Sequence, residues 1–159
     1  MANYWNIPGV PHKGWEFDTI IDLCEDEEEY ETCMMCGKEQ IRFVHILSHN
    51  EVVEPFRVGC VCAEKMTGDY VNPKQRQRQL ENRAKRKDNW KFKDWKQSQK
   101  GNDYYKFEDH LLVIFRDKKT NRFKYKIDET FGLKSYHYLS EAKAAIFIKI
   151  EEMKEERVW

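Results

Sequence analysis

Apolar and polar positions alternate along "EFDTIIDL", so that Phe17, Thr19, Ile21 and Leu23 share one face, which predicts a half-buried edge strand. Before it, Pro8, Gly9, Pro11 and Gly14 fall within a few residues, and that density of breakers predicts irregular chain pinned by Trp5 and Trp15. The β-branched and aromatic runs "EQIRFVHILSH" and "EVVEPFRVG" predict a hairpin turning at Ser48, His49 and Asn50. "CVCAEKMTGD" predicts a short helix closed by Gly68. Asn72 followed by Pro73 predicts a second helix start with Asn72 as N-cap. That helix, running to about Phe92, offers only Leu80 and Ala84 as apolar positions before Trp90, so most of it is expected to face solvent and to link two modules. Trp90, Phe92 and Trp95 are expected to anchor its far end on the last module.

The last module opens near "KGNDYY". "HLLVIFRD" and "RFKYKIDE" predict strands joined across "KKTN", with Phe123, Tyr125 and Ile127 alternating against Lys124, Lys126 and Asp128. "YHYL" predicts a third strand. Ser140 then caps a helix with Ala142, Ala145, Ile146, Ile150 and Met153 on one face. The pattern predicts an α+β chain in three parts: residues 1–71, a linking helix over 72–100, and a small βββα module over 101–159.

Composition narrows the class. With 35% charged residues and no apolar run of spanning length, the chain does not read as a membrane protein. No basic-then-apolar leader opens it, so a cytoplasmic location is the default expectation, where cysteines stay reduced. The net charge of zero conceals segregation. Residues 1–40 carry ten acids against Lys13 and Lys38, while residues 71–100 carry eleven bases against Glu81, Asp88 and Asp94. Such asymmetry points either to a polyanionic partner or to two segments facing each other. The acidic run from Glu25 to Glu31 reads as a solvated loop.

Four of the five cysteines stand in two tight pairs, "CMMCGK" and "GCVCAEKM". Cys33 and Cys36 have the spacing of a knuckle, in which one tight turn points two thiolates at one metal. The second pair sits on the opening turn of a helix, whose dipole favours thiolate over thiol. Zinc closes a tetrahedron of four such ligands. Cys33, Cys36 and Cys62 supply three, and the fourth is Cys60 or His49, with His45 behind them. Cys24 stands outside the pairs and reads as a buried free thiol, and His110 and His137 read as structural.

Knuckle, hairpin and cysteine-bearing helix start follow the order of a treble-clef zinc finger, which this stretch resembles. The segments "PHKGW", "CMMCGKEQIRFVHILSHN", "VGCVCAEKMTGDYV", the "KGN" closing the basic stretch and "SEAKAAIF" together resemble a widespread group of small uncharacterised bacterial and phage proteins. The resemblance spans most of the chain and implies a zinc-finger module plus a small α+β module in a bacterial or phage setting. It implies no activity.

Three functions fit these features to different degrees. A nucleic-acid-binding protein would use Arg76, Arg78, Arg83, Lys85, Arg86 and Lys87 on phosphates, with zinc as a structural clamp. These bases are spread around the helix, which favours backbone contact over base reading, and Trp90, Phe92, Trp95, Tyr104 and Tyr105 offer stacking surfaces for unpaired bases. The opposing reading is a solvated basic helix paired with the acidic loop. A protein-interaction adaptor or inhibitor of bacterial or phage origin is the alternative. A metal nuclease is disfavoured, because the helix after "VHILSHN" brings Glu64 and Lys65 rather than a second histidine or asparagine, and four protein ligands leave no open metal position. No catalytic set is expected.

Overall fold

The computed structural model describes residues 3–25, 27–38 and 40–159; Asp26 and Glu39, counted among the acids above, lie outside these. The described residues form three α-helices and two antiparallel sheets, and the chain divides into two compact units, Met1–Ala84 and Lys85–Trp159. The α+β expectation holds at this level. None of the described helices is long and apolar enough to cross a membrane.

In the first unit, strands β1 (Glu16–Asp22), β2 (Phe43–His49) and β3 (Val52–Val58) pair in that order. β1 takes the predicted edge. His49 pairs with Val52, so the hairpin turns on Asn50 and Glu51, one position later than expected. Val44, Leu47, Phe56 and Val58 turn inward and join Trp15, Leu23, Met35 and Ile41 in a core that includes Cys33 and Cys62. Helix α1 (Cys60–Thr67) packs on this core with Ala63 and Met66, and Gly68 ends it at φ 70°, a left-handed conformation that costs glycine nothing.

Helix α2 (Asn72–Trp90) starts where expected, but its leading amides are held by Asp69 rather than Asn72. Asp69 Oδ1 accepts from the Val71 and Asn72 N–H groups, both at 3.0 Å. An ionised carboxylate one turn earlier satisfies two amides at once, which also holds its acid below the ordinary range.

The second unit is a five-stranded sheet, β4 (Lys96–Gln97), β5 (Asp103–Phe107), β6 (His110–Arg116), β7 (Phe123–Ile127) and β8 (Thr130–Phe131), paired in chain order, with helix α3 (Leu139–Glu155). Leu112, Ile114, Tyr125 and Ile127 face Ala142, Ile146, Phe147 and Ile150 of α3. Trp90 is the hub: its indole N–H donates to the Lys143 carbonyl at 2.8 Å, and its ring meets those of Trp95, Tyr105, Phe107 and Phe147.

Several expectations differ here. "YHYL" is no strand; Tyr136 forms one isolated bridge to Phe123, and the sheet grows instead through β4, β5 and β8. The β5–β6 turn explains why β5 escapes a pattern search. It uses Glu108 and Asp109 at φ 48° and 68°, a two-residue hairpin turn without glycine. Tyr138 rather than Ser140 precedes α3, because the chain is already turned by the Tyr136 bridge. Phe92 is 86% exposed and anchors nothing in this unit, whereas Trp90 is buried.

Candidate metal centre

The turn over Met34, Met35 and Cys36 closes at Gly37, whose φ of 76° is costly for any residue with a Cβ. Gly37 N–H donates to the Cys33 carbonyl at 2.9 Å, and Cys33 N–H donates to the Lys38 carbonyl at 2.8 Å. The turn thereby presents Cys33 and Cys36 together. Opposite it, β3 passes through Gly59 straight into α1, whose first turn carries Cys62. The sulfurs of Cys33, Cys36 and Cys62 lie within 4.8 Å of one another.

Two N–H donors point at these sulfurs: Gly59 N–H at 3.5 Å from Cys33 Sγ, and the Trp5 indole N–H at 3.4 Å from Cys62 Sγ. Both favour sulfur bearing negative charge. Without a metal the group shares its protons unevenly. The Cys62 thiol donates to Cys33 and, against the cost of burial and with help from backbone N–H groups, holds Cys33 down to about 5. Cys62 is correspondingly pushed up, first by that bond and then by burial. Cys33 and Cys62 are buried and Cys36 is half-buried, so the three sulfurs face one another rather than solvent.

A N-terminal arm packs against the group. Tyr4 N–H donates to the Met35 carbonyl at 2.8 Å, and Trp15 N–H to the Met66 carbonyl at 3.2 Å, so the arm is tied to the knuckle and to α1. Between these ties, the His12 ring meets the edge of Trp5, the same indole that donates to Cys62, with centroids 5.1 Å apart. Sequence reasoning does not single out Trp5 or His12 for this role. Their only signal is the irregular arm itself.

Cys60 and His49 lie outside the three-sulfur group. Positions two apart on a helix point to opposite sides, and Cys60 Sγ sits 3.9 Å from Glu64 Oε1, its thiol pushed up by burial and by the Glu64 charge. Both ring nitrogens of His49 are engaged, Nε2 with the Lys13 carbonyl at 3.1 Å and Nδ1 accepting from Glu51 N–H at 3.0 Å. His45 is fully buried. Gln77 Nε2 donates to Glu81, which turns Gln77 Oε1 toward His45 Nε2 at 3.0 Å and leaves His45 Nδ1 without a partner. Burial holds this imidazole below its ordinary value. Cys24 is exposed, not buried as expected, because it lies past the end of β1.

The six helix bases are not equivalent. Arg76 lies 3.6 Å over the Phe17 ring, Arg83 pairs with Glu25 at 3.1 Å, and Arg86 forks onto Glu151 at 3.1 and 2.9 Å. Arg78 and Lys85 are exposed and Lys87 half-buried, and among the described residues none of the three has an ion pair. The acidic loop thus meets the helix through Glu25. A cavity of about 800 Å³ in the second unit lies against Tyr125, Phe131, Leu133 and Ile148, with Glu141, Lys149 and Glu152 among its lining but no histidine or cysteine. No family model, curated protein or solved structure matches the chain.

Proposed function

We propose that this chain is a nucleic-acid-binding protein whose first unit is a treble-clef-like module clamped by a structural zinc ion. The observation that carries the zinc is the convergence of three sulfurs from a knuckle and a helix start. Sulfur-rich sets select zinc, copper(I) or iron–sulfur clusters, and a single compact group of three sulfurs fits zinc. Cys33, Cys36 and Cys62 would hold the ion, with the Gly59 and Trp5 donors as outer partners. Cys60, His49 and His12 all lie outside the three-sulfur group, and the fourth position is left for the metal-loaded protein to identify among them. Nucleic acid as partner is supported by the unpaired helix bases Arg78, Lys85 and Lys87 and by further exposed bases in the second unit. The protein-adaptor reading would instead present the β-hairpin edge or the acidic run from Glu25 to Glu31 to a protein partner.

The test is metal content by plasma mass spectrometry together with fluorescence anisotropy on labelled DNA and RNA across a salt series. One zinc per chain is expected, lost in Cys33→Ser and Cys62→Ser. In cobalt-loaded protein, whichever of Cys60→Ser, His49→Ala and His12→Ala shifts the visible ligand-field bands identifies the fourth ligand. Oligonucleotide binding should weaken steeply with salt, and no binding at low salt would remove nucleic acid as the partner.

A further inference from the structure

Strand register in the second unit sorts residues between two faces. Lys96 lies opposite Tyr104, Tyr104 opposite Val113, Val113 opposite Lys126, and Lys126 opposite Phe131, so one row crosses all five strands. Flanking it are the pairs Phe115 with Lys124 and Lys106 with Leu111. Side chains alternate along a strand, so these residues occupy the face opposite Leu112, Ile114, Tyr125 and Ile127. Helix α3 packs on that inner face. Within this unit, among the described residues, no other helix covers the sheet.

The outer row interleaves rings with ammonium groups. Lys96 and Lys106 are exposed, and Phe131 is 60% exposed at a strand end. Phe115 meets Phe131 edge-on at 5.9 Å, and Lys126 Nζ stands 5.9 Å from the Phe131 ring. A hollow of about 320 Å³ opens along β4 and β5 among Lys96, Tyr104, Tyr105 and Lys106, with Asp94 beside them. The β6–β7 connection adds exposed Lys118, Lys119 and Arg122; Asp117, its one acid, is already spent on Lys124 at 3.0 Å. The opposite hairpin ends carry Glu108, Asp109, Asp128 and Glu129. The face is therefore cationic at its middle and at the β6–β7 end, and acidic at the other.

We propose that this open sheet face, from Lys96 across Tyr104 and Lys126 to Phe131, is where the protein takes an unpaired nucleic-acid strand. Bases stack on the rings while the lysines and the β6–β7 loop hold phosphates. A duplex keeps its base faces stacked on one another and offers these rings nothing. A polyanion without bases satisfies the lysines only. The proposal rests on the nucleic-acid reading above and moves its main contact from α2, three of whose six bases are occupied within the protein, to the sheet.

The experiment uses the full zinc-loaded chain and fluorescence anisotropy with single-stranded DNA, single-stranded RNA and duplex DNA of equal length, with heparin as a base-free competitor. Single strands should bind at least tenfold tighter than duplex, and the stronger of the DNA and RNA arms identifies the source of the strand. Phe131→Ala should weaken single-strand binding by about fivefold to a hundredfold, the range of one lost base stack. Lys96→Gln with Lys126→Gln should flatten the salt dependence by about two phosphate contacts. The helix variant Arg78→Gln with Lys85→Gln and Lys87→Gln should change affinity less than Phe131→Ala does. Photocrosslinking of an iodouridine strand to the unaltered protein, read by mass spectrometry, should label Tyr104, Phe115 or Phe131, independently of any variant's folding. Equal binding of duplex, displacement by heparin as efficient as by single strands, or crosslinks confined to α2 would overturn the face while leaving nucleic acid as partner. Absence of binding to every oligonucleotide would instead bring down the reading beneath it.

Discussion

The two units close by different means. The first joins a modest sheet and a two-turn helix around three thiols, and its irregular arm is tied to the rest by single backbone bonds and by Trp5 and Trp15. The second draws a five-stranded sheet and a long helix around Trp90 and its aromatic neighbours. Modules of this length bury too small a fraction of their surface to be comfortable, so each needs an additional device. One has three converging cysteines that could hold a metal ion, the other large rings. Their stabilities should therefore answer to different perturbations.

On the proposed zinc reading, metal removal should produce the largest contrast. Structural zinc contributes on the order of 10 kcal/mol to folding of small zinc modules at neutral pH. Chelation should abolish hydrogen-exchange protection in β1–β3 and α1 while β5–β7 and α3 keep theirs. Uniform loss across the chain would mean that the units do not fold independently.

Next in size is Trp90→Ala, which removes the hub of the second core and should cost about 3–5 kcal/mol there. Chemical denaturation followed by exchange mass spectrometry would localise the loss, and first-unit protection should survive it with metal bound. Gly132→Ala should come third. A Cβ at that position would stand 2.6 Å from the Tyr125 ring, which is buried and held by the core, so about 1–3 kcal/mol of overpacking is expected as a lower melting temperature of the second unit.

The smallest expected effect belongs to His45. Burial, then the nearby Arg76 charge, hold its imidazole below the ordinary value of about 6.5, against the Gln77 bond that favours the charged form. The unfolded chain therefore binds the proton more readily than the folded one. Its contribution to stability is complete above the unfolded value and is lost as pH falls from there through the folded value. Zinc release follows a similar direction, so the informative quantity is the difference in pH slope between the parent and His45→Gln, both metal-loaded. That difference cannot exceed about 1.4 kcal/mol per pH unit, the weight of a single proton, and it should appear in the first unit only. Identical slopes would mean that His45 titrates normally in the folded protein.

Local signals carried much of this molecule. The run "EFDTIIDL", the paired runs around Asn50, and the Gly68 stop announce β1, the β2–β3 hairpin and α1, because each is settled within a few residues by steric and solvent preference. The face of β1 is not as expected, since a bulge between Phe17 and Thr19 puts Phe17 on the face opposite Thr19 and Ile21. The C-x-x-C spacing likewise announces Cys33 and Cys36, since a tight turn is a local object. What tertiary structure alone decided is which distant groups meet. Cys60 and Cys62 are near-equivalent as letters, and only the helix phase sets one toward the knuckle and the other toward Glu64. Six helix bases read alike until Phe17, Glu25 and Glu151 occupy three of them. The cross-strand row from Lys96 to Phe131 has no sequence signature at all, because its members are spread over five strands and become neighbours only through register.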